Sequence, residues 1–153
     1  MFSTFLDRNI NVLSKDHQKD VENIRNQKRF VHFHDRPQYS NIHKDSFLLS
    51  QGVRDCMTWR GIALGKSIYD FALYPMIIWE NSPATILEIG SGEGASAIWM
   101  ADLCKTYKLP TQVYSIDINP ITLKYERVTF AKGDSRGINN TMFDIEMLPH
   151  PWL

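Results

Sequence analysis

Polar and charged positions dominate the first 45 residues or so, and no apolar stripe is sustained there. Within that stretch, residues 16–28 predict one helix, with Val21 and Ile24 on a narrow apolar side. A polar arm or peripheral helix is expected over residues 1–50. Pro37 ends any regular element in "FVHFHDRPQYS". The pattern changes at Trp59. "TWRGIALGKSIYDFALYPMIIWENSP" is rich in large apolar groups, and Ile68, Phe71, Ala72 and Ile78 fall roughly on one helical face. A helical cap segment is predicted over 51–82, with Pro75 breaking or kinking its helix, or starting a second one.

Beyond residue 82 the apolar run lengths shorten and alternate. "TILEIG" reads as a buried strand from its Ile and Leu content. "ASAIWMADLCKTY" predicts a helix from about Gly94 to Tyr107. "QVYSIDI" and "RVTFAKGDS" carry a second and a third strand, "NNTMFDIEML" a short helix, and "PWL" the start of a fourth strand. Strand–helix–strand order implies a parallel pair joined by a crossover helix, so the fold class is α/β.

The first strand runs into its helix through "EIGSGEGA". Gly90, Gly92 and Gly94 remove three Cβ atoms at alternate positions, which lets a ligand lie against the backbone and the free N–H groups of the helix start. Asp117 ends the second strand, 27 residues after Gly90, where a carboxylate can accept from both hydroxyls of a ribose. Asp134 and Ser135 follow the third strand, suited to an adenine amino group. Three such features at consecutive strand ends describe a pocket for an adenosine-containing ligand. The plainer alternative is a tight turn with two surface aspartates. "GSGEGA" also fits G-x-G-x-x-A, so an NAD(P)-dependent oxidoreductase stays open. Against it, Glu88 stands two residues before the first glycine, where dinucleotide sites carry an apolar residue. A carboxylate there suits a ligand with an ammonium and a sulfonium.

E-x-G-x-G-x-G followed by an acid after the second strand resembles the class I S-adenosylmethionine-dependent methyltransferases. Upstream, Trp59, Gly61, Lys66 and Asp70 stand at the spacing of the cephalosporin hydroxylase / rhamnosyl O-methyltransferase family, and the resemblance covers about residues 50–153. It implies a Rossmann-like fold, with 83–153 as the first half of an S-adenosylmethionine-binding domain. It also implies that Glu88, Gly90, Gly92 and Gly94 line the methionine part of the cofactor, with Ser91 in the same binding set. Asp117 would hold the ribose, and Asp134 with Ser135 would approach the adenine. Lys66 and Asp70 match the pattern without an assigned role, and no catalytic residue is named. The implied reaction is O-methyl transfer to a hydroxyl of a small molecule or sugar, assisted by a divalent metal such as magnesium. The family's acidic metal ligands follow its fourth and fifth strands. The chain is therefore expected to be truncated after the third strand, without metal ligands and inactive alone. Ile98, Trp99 and Leu103 would then be poorly covered, and the chain would tend to associate. A non-catalytic nucleoside-binding module is the rival of a different class.

Composition narrows this picture in a few places. Seventeen basic residues balance seventeen acidic ones in 153, which argues against a nucleic-acid partner. Cys56 and Cys104 form no CxxC pair, and no leader pattern is evident, so a reduced, cytoplasmic protein is expected. The longest apolar run, 71–79, falls far short of the roughly 20 residues a membrane span requires. His32, His34 and Asp35 sit close together, and on a strand His32 and His34 would share one face as metal ligands, but no third ligand is placed, so a surface histidine pair is the preferred reading. Trp59, Trp79, Trp99 and Trp152 read as core rather than as a stacking platform.

Overall fold

The structure, a computed structural model, describes residues 15, 19, 32–35, 39, 42–51, 56–119, 121–140 and 144–153. The helix expected over 16–28 lies outside these apart from Lys19, which is helical, as is Lys15. The chain divides into two compact units, Met1–His43 and Lys44–Leu153. In the first, Phe33–Asp35 form a 3-10 turn rather than a strand, and the rings of His32 and His34 stack with centroids 5.2 Å apart. The second unit carries every other element described below.

Its order is α1 (Lys44–Gln51), β1 (Thr58–Trp59), β2 (Ile62–Ala63), α2 (Ile68–Asn81), β3 (Thr85–Ile89), α3 (Ala95–Thr106), β4 (Gln112–Asp117) and β5 (Val128–Lys132). Strands β3, β4 and β5 lie side by side in that order, all parallel. The expected α/β sheet with a crossover helix is present. Residues 151–153 run along the other side of β3. The Ala84 and Leu87 N–H groups donate to the carbonyls of Pro151 and Leu153 at 2.9 Å, and the Leu153 N–H donates to Thr85 at 3.0 Å. Trp152 makes an isolated parallel bridge to Thr85, so "PWL" pairs with β3 without forming a strand of its own. Consequently β3 is hydrogen-bonded on both sides over Thr85–Leu87 rather than left as a bare edge. Buried Thr85 and Thr111 donate to the carbonyls of Pro149 and Pro83, so neither hydroxyl is left unpaired inside.

The segment expected to be helical over 51–82 also carries a hairpin. Arg60 and Gly61 both have positive φ, 52° and 81°, which makes the two-residue turn that matches the twist of paired strands. Helix α2 then starts in a capping box: the Ser67 hydroxyl accepts from the Asp70 N–H, and the Asp70 carboxylate accepts from the Ser67 N–H at 2.7 Å. Of the outcomes expected at Pro75, a break and a second helix are absent, and one helix runs on to Asn81. An interior proline costs about 3 kcal/mol or more. Burial on one face offsets that loss. Phe71 and Tyr74 pack on Trp99 with ring centroids 4.7 and 5.6 Å apart, and Ile78 is fully buried. The buried face is thus Phe71, Tyr74 and Ile78, whereas Ile68 and Ala72, expected on it, are exposed.

Helix α3 is the core of the unit. Ala97, Ile98, Trp99, Met100, Ala101 and Cys104 are all buried. The expectation that Ile98 and Trp99 would be poorly covered is therefore corrected: they are 3% and 1% exposed. The helix that carries them packs against the sheet, α2 and β1. Leu103 is half-buried, as are Trp59, Trp79 and Trp152. Among the described residues no helix is long and apolar enough to cross a membrane.

Asp102, on the same helix, ties the hairpin down. Its carboxylate accepts from Trp59 Nε1 at 2.8 Å, from Arg60 Nε and Nη2 at 2.7 and 3.0 Å, and from the Tyr125 hydroxyl at 2.7 Å. Burial pushes the Asp102 carboxyl up, but the hydrogen bonds from Arg60, Tyr125 and Trp59 outweigh it and hold the group below its ordinary value.

Asp102→Ala leaves the Trp59 and Tyr125 donors without their acceptor, and it should lower stability by about 2–3 kcal/mol in urea unfolding. Because the folded value lies below the unfolded one, this stabilisation is complete above the unfolded value of about 3.9 and is lost as pH falls through the folded value. The wild-type chain should therefore lose stability below about pH 4 more steeply than Asp102→Asn, with parallel curves between about pH 5 and 7. Equal acid slopes for the two proteins would contradict the network.

Candidate cofactor site

Glu88 near the end of β3, Asp117 at the end of β4 and Asp134 just past β5 all lie at the carboxyl edge of the sheet, where open α/β folds bind ligands. Register pairs Glu88 with Ser115, which sets both side chains on one face. The Ser115 hydroxyl donates to Glu88 Oε2 at 2.6 Å, and the Ser96 hydroxyl donates to Oε1. Ser115 and Ser91 also hydrogen-bond, at 2.6 Å. A carboxylate only accepts and a hydroxyl carries one proton, so Ser91 is the donor in that last bond. The result is a chain of hydroxyls, two of them buried, ending on a half-buried carboxylate.

The glycine loop turns tightly after β3. Its Gly90 N–H donates to the Ile116 carbonyl, and its Gly94 N–H to the Ser91 carbonyl, both at 2.8 Å. Gly90, Gly92 and Gly94 have φ of 91°, 54° and 90°. At Gly90 and Gly92 an added Cβ would meet nothing within 4 Å, so those positions face open space. Gly94 differs. A Cβ there would stand 2.9 Å from Phe130 Cζ and 3.3 Å from Leu123 Cδ1, so packing against β5, as well as φ, requires this glycine.

A cavity of about 630 Å³ opens beside the loop, within the size range of small-ligand sites. Glu88, Gly90, Ser91 and Gly92 line one side of it, and Lys66 and Tyr74 contribute from the segment around α2. The remaining expected residues, Gly94, Asp117, Asp134 and Ser135, do not line it. Asp117 braces the loop instead: Oδ2 accepts from the Gly92 N–H at 3.0 Å and Oδ1 from the Asn119 N–H at 2.8 Å. These backbone bonds, Asn119 first and then Gly92, hold its carboxyl below the usual range. Asp134 is paired with Arg136 at 2.6 Å and is lowered by that guanidinium, and Ser135 opens a 3-10 segment, Ser135–Asn140.

Sequence reasoning missed Ser96, Ser115 and Tyr74. Ser115 was signalled: it is a small polar residue two positions before Asp117, on the same strand face in an otherwise apolar segment. Asp70, which matched a pattern without a role, is the capping-box acid of α2. Among the described residues no group of three or more His, Cys, Asp or Glu side chains could hold a metal ion.

The chain matches the family model "Rhamnosyl O-methyltransferase/CmcI" over residues 51–134. A rhamnosyl O-methyltransferase from Mycobacterium leprae (strain TN) is 37% identical over 67 residues, which is 44% of this chain and 29% of that protein. An apo structure of CmcI is similar at 26% identity and a TM-score of 0.58, covering 77% of this chain and 54% of that one. A CmcI structure with SAH gives 26% and 0.56 over 77% and 57%, and one with Mg-SAM gives 27% and 0.56 over 77% and 54%. The chain thus spans about half the length of these solved relatives. With the match extending over more than half of its residues, from the α2 region through β5, the chain belongs to the rhamnosyl O-methyltransferase/CmcI family.

Proposed function

We propose that this chain binds S-adenosylmethionine at the cavity beside the β3–α3 loop and serves O-methyl transfer to a hydroxyl of a small molecule or sugar. The observation that carries the reading is a half-buried carboxylate, Glu88, fixed by two serine hydroxyls in the cavity wall beside glycines whose Cβ positions are open. The relatives solved with SAH and with Mg-SAM support the same ligand class.

Bound S-adenosylmethionine supplies an electrophilic methyl carbon on a sulfonium. The chain's own residues bind and orient. Each Glu88 oxygen keeps a lone pair beyond its serine bond, enough to accept from a ligand ammonium. Gly90 and Gly92 admit the ligand against the backbone. Asp117 likewise keeps a lone pair on each oxygen for ribose hydroxyls, and Asp134 with Ser135 is proposed to approach the adenine. In sequence order, the proposed organisation is a polar arm over 1–50, a cap over 51–82 and the cofactor-binding part over 83–153. Magnesium assistance is carried over from the relative solved with Mg-SAM, and none of the described residues is given that role. A cytoplasmic location is proposed from the two free thiols, and self-association from exposed apolar groups such as Leu73 and Ile118.

Calorimetry should show S-adenosylhomocysteine binding and no competition by NADH; the reverse order would restore the oxidoreductase reading. Asp117→Ala removes two charge-assisted hydrogen bonds to ribose, each worth about 1.5–3 kcal/mol. It should weaken S-adenosylhomocysteine binding roughly tenfold or more in a chain that still unfolds cooperatively, and unchanged affinity would remove Asp117 from the site.

Gly92→Val places a β-branched residue at φ 54°, a conformation such residues rarely adopt. It should abolish binding. A variant that folds and binds like the wild type would reduce the loop to an ordinary turn.

A further inference from the structure

The charges facing the cavity are uneven in a way the proposed ligand explains. Among its described lining residues, Glu88 and Glu93 are acids and Lys66 is the one base. Lys66 belongs to the short link between β2 and α2. Its backbone N–H donates to the Leu64 carbonyl at 2.8 Å, and its ammonium lies over the Tyr74 ring, 4.9 Å from the centroid. No described carboxylate forms an ion pair with it. Asp70, four residues on, has its carboxylate engaged in the helix cap.

Lys66 is half-buried and lines the cavity together with apolar Leu73 and Ile77, and its ammonium retains three donors that no described side chain takes. The ring face beneath it fixes its position by cation–π attraction without neutralising it. Such a group is suited to receive an anion from a ligand. The amino-acid end of S-adenosylmethionine carries an ammonium and a carboxylate on one carbon, and its sulfonium adds a second positive charge. Two acids and one base in the cavity therefore complement two positive charges and one negative charge in the ligand.

Resting on the cofactor reading above, we infer that Lys66, held over Tyr74, is the group that receives the carboxylate of the ligand's amino-acid end, while Glu88 receives its ammonium. Lys66 is then a binding residue that sets selectivity for ligands with an intact amino-acid carboxylate. The β2–α2 link takes part in cofactor recognition together with the glycine loop.

The test compares two ligands on the full chain by calorimetry: S-adenosylhomocysteine, and its decarboxylated analogue, which keeps the ammonium and lacks the carboxylate. Lys66→Met should weaken S-adenosylhomocysteine roughly tenfold or more, the scale of a lost charge-assisted hydrogen bond, and leave the decarboxylated analogue unchanged. Lys66→Arg should recover part of the loss. Equal affinity of Lys66→Met and wild type for S-adenosylhomocysteine would overturn the assignment and leave the cofactor reading standing. Equal weakening of both ligands would also overturn it, because the effect would not depend on the carboxylate. No binding of either ligand to the wild-type chain would remove the cofactor reading itself.

Discussion

A carboxylate placed inside the wall of a strand-to-helix turn has to be satisfied, and the rest of the site follows from how Glu88 is satisfied here. Its partners come from three different places: Ser115 on the neighbouring strand, Ser96 on the first turn of the following helix, and Ser91, acting through Ser115, in the loop between. Those bonds couple the strand, the loop and the helix into one unit. A carboxylate held this way keeps lone pairs for a ligand while its own position is set by protein donors. The loop around it adopts left-handed backbone at each glycine, and the open Cβ positions at Gly90 and Gly92 leave space on the ligand side.

A second tether fixes what faces the loop. Asp102 on α3 gathers Trp59, Arg60 and Tyr125, so the hairpin of β1 and β2 is pinned to the same helix whose N-terminus follows the glycine loop. The link that leaves this hairpin carries Lys66, and the capped start of α2 carries Asp70. Both sides of the cavity are thus referenced to α3, seven of whose twelve residues are buried. This explains why a small unit can hold opposed charges at defined positions: the helix between them cannot shift without unpacking Trp99 from Phe71 and Tyr74.

Much of this was legible in the sequence, for local reasons. The parallel strands announced themselves by apolar runs ending in acids, and α3 by a long apolar segment after glycines. The extended character of "PWL", which pairs with β3, was legible too. Three things were not, each because tertiary contacts override a local rule. Pro75 offered a break, a kink or a second helix, and burial of Phe71, Tyr74 and Ile78 keeps the helix continuous. Ile68 and Ala72 satisfy helical spacing but face outward, because the aromatic positions decide which side packs. Ile98 and Trp99 were expected to lack cover, yet both are buried on a helix that packs against α2, β1 and the sheet. At the site, Gly94 carried the same signal as Gly90 and Gly92, and only the position of Phe130 distinguishes a packing glycine from an open one. The hydroxyl chain around Glu88 was hidden because serine is common and its partners are up to 27 positions apart.

The central claim is that Glu88 is a charged acceptor for the ammonium of an adenosyl amino-acid ligand, and Glu88→Gln tests it most directly. The substitution keeps the side chain's shape and removes its charge. Titrated with S-adenosylhomocysteine and with 5′-methylthioadenosine, which lacks the amino-acid end, a folded Glu88→Gln chain should lose roughly tenfold or more in affinity for the first and nothing for the second. Equal affinity for S-adenosylhomocysteine in variant and wild type would contradict the account.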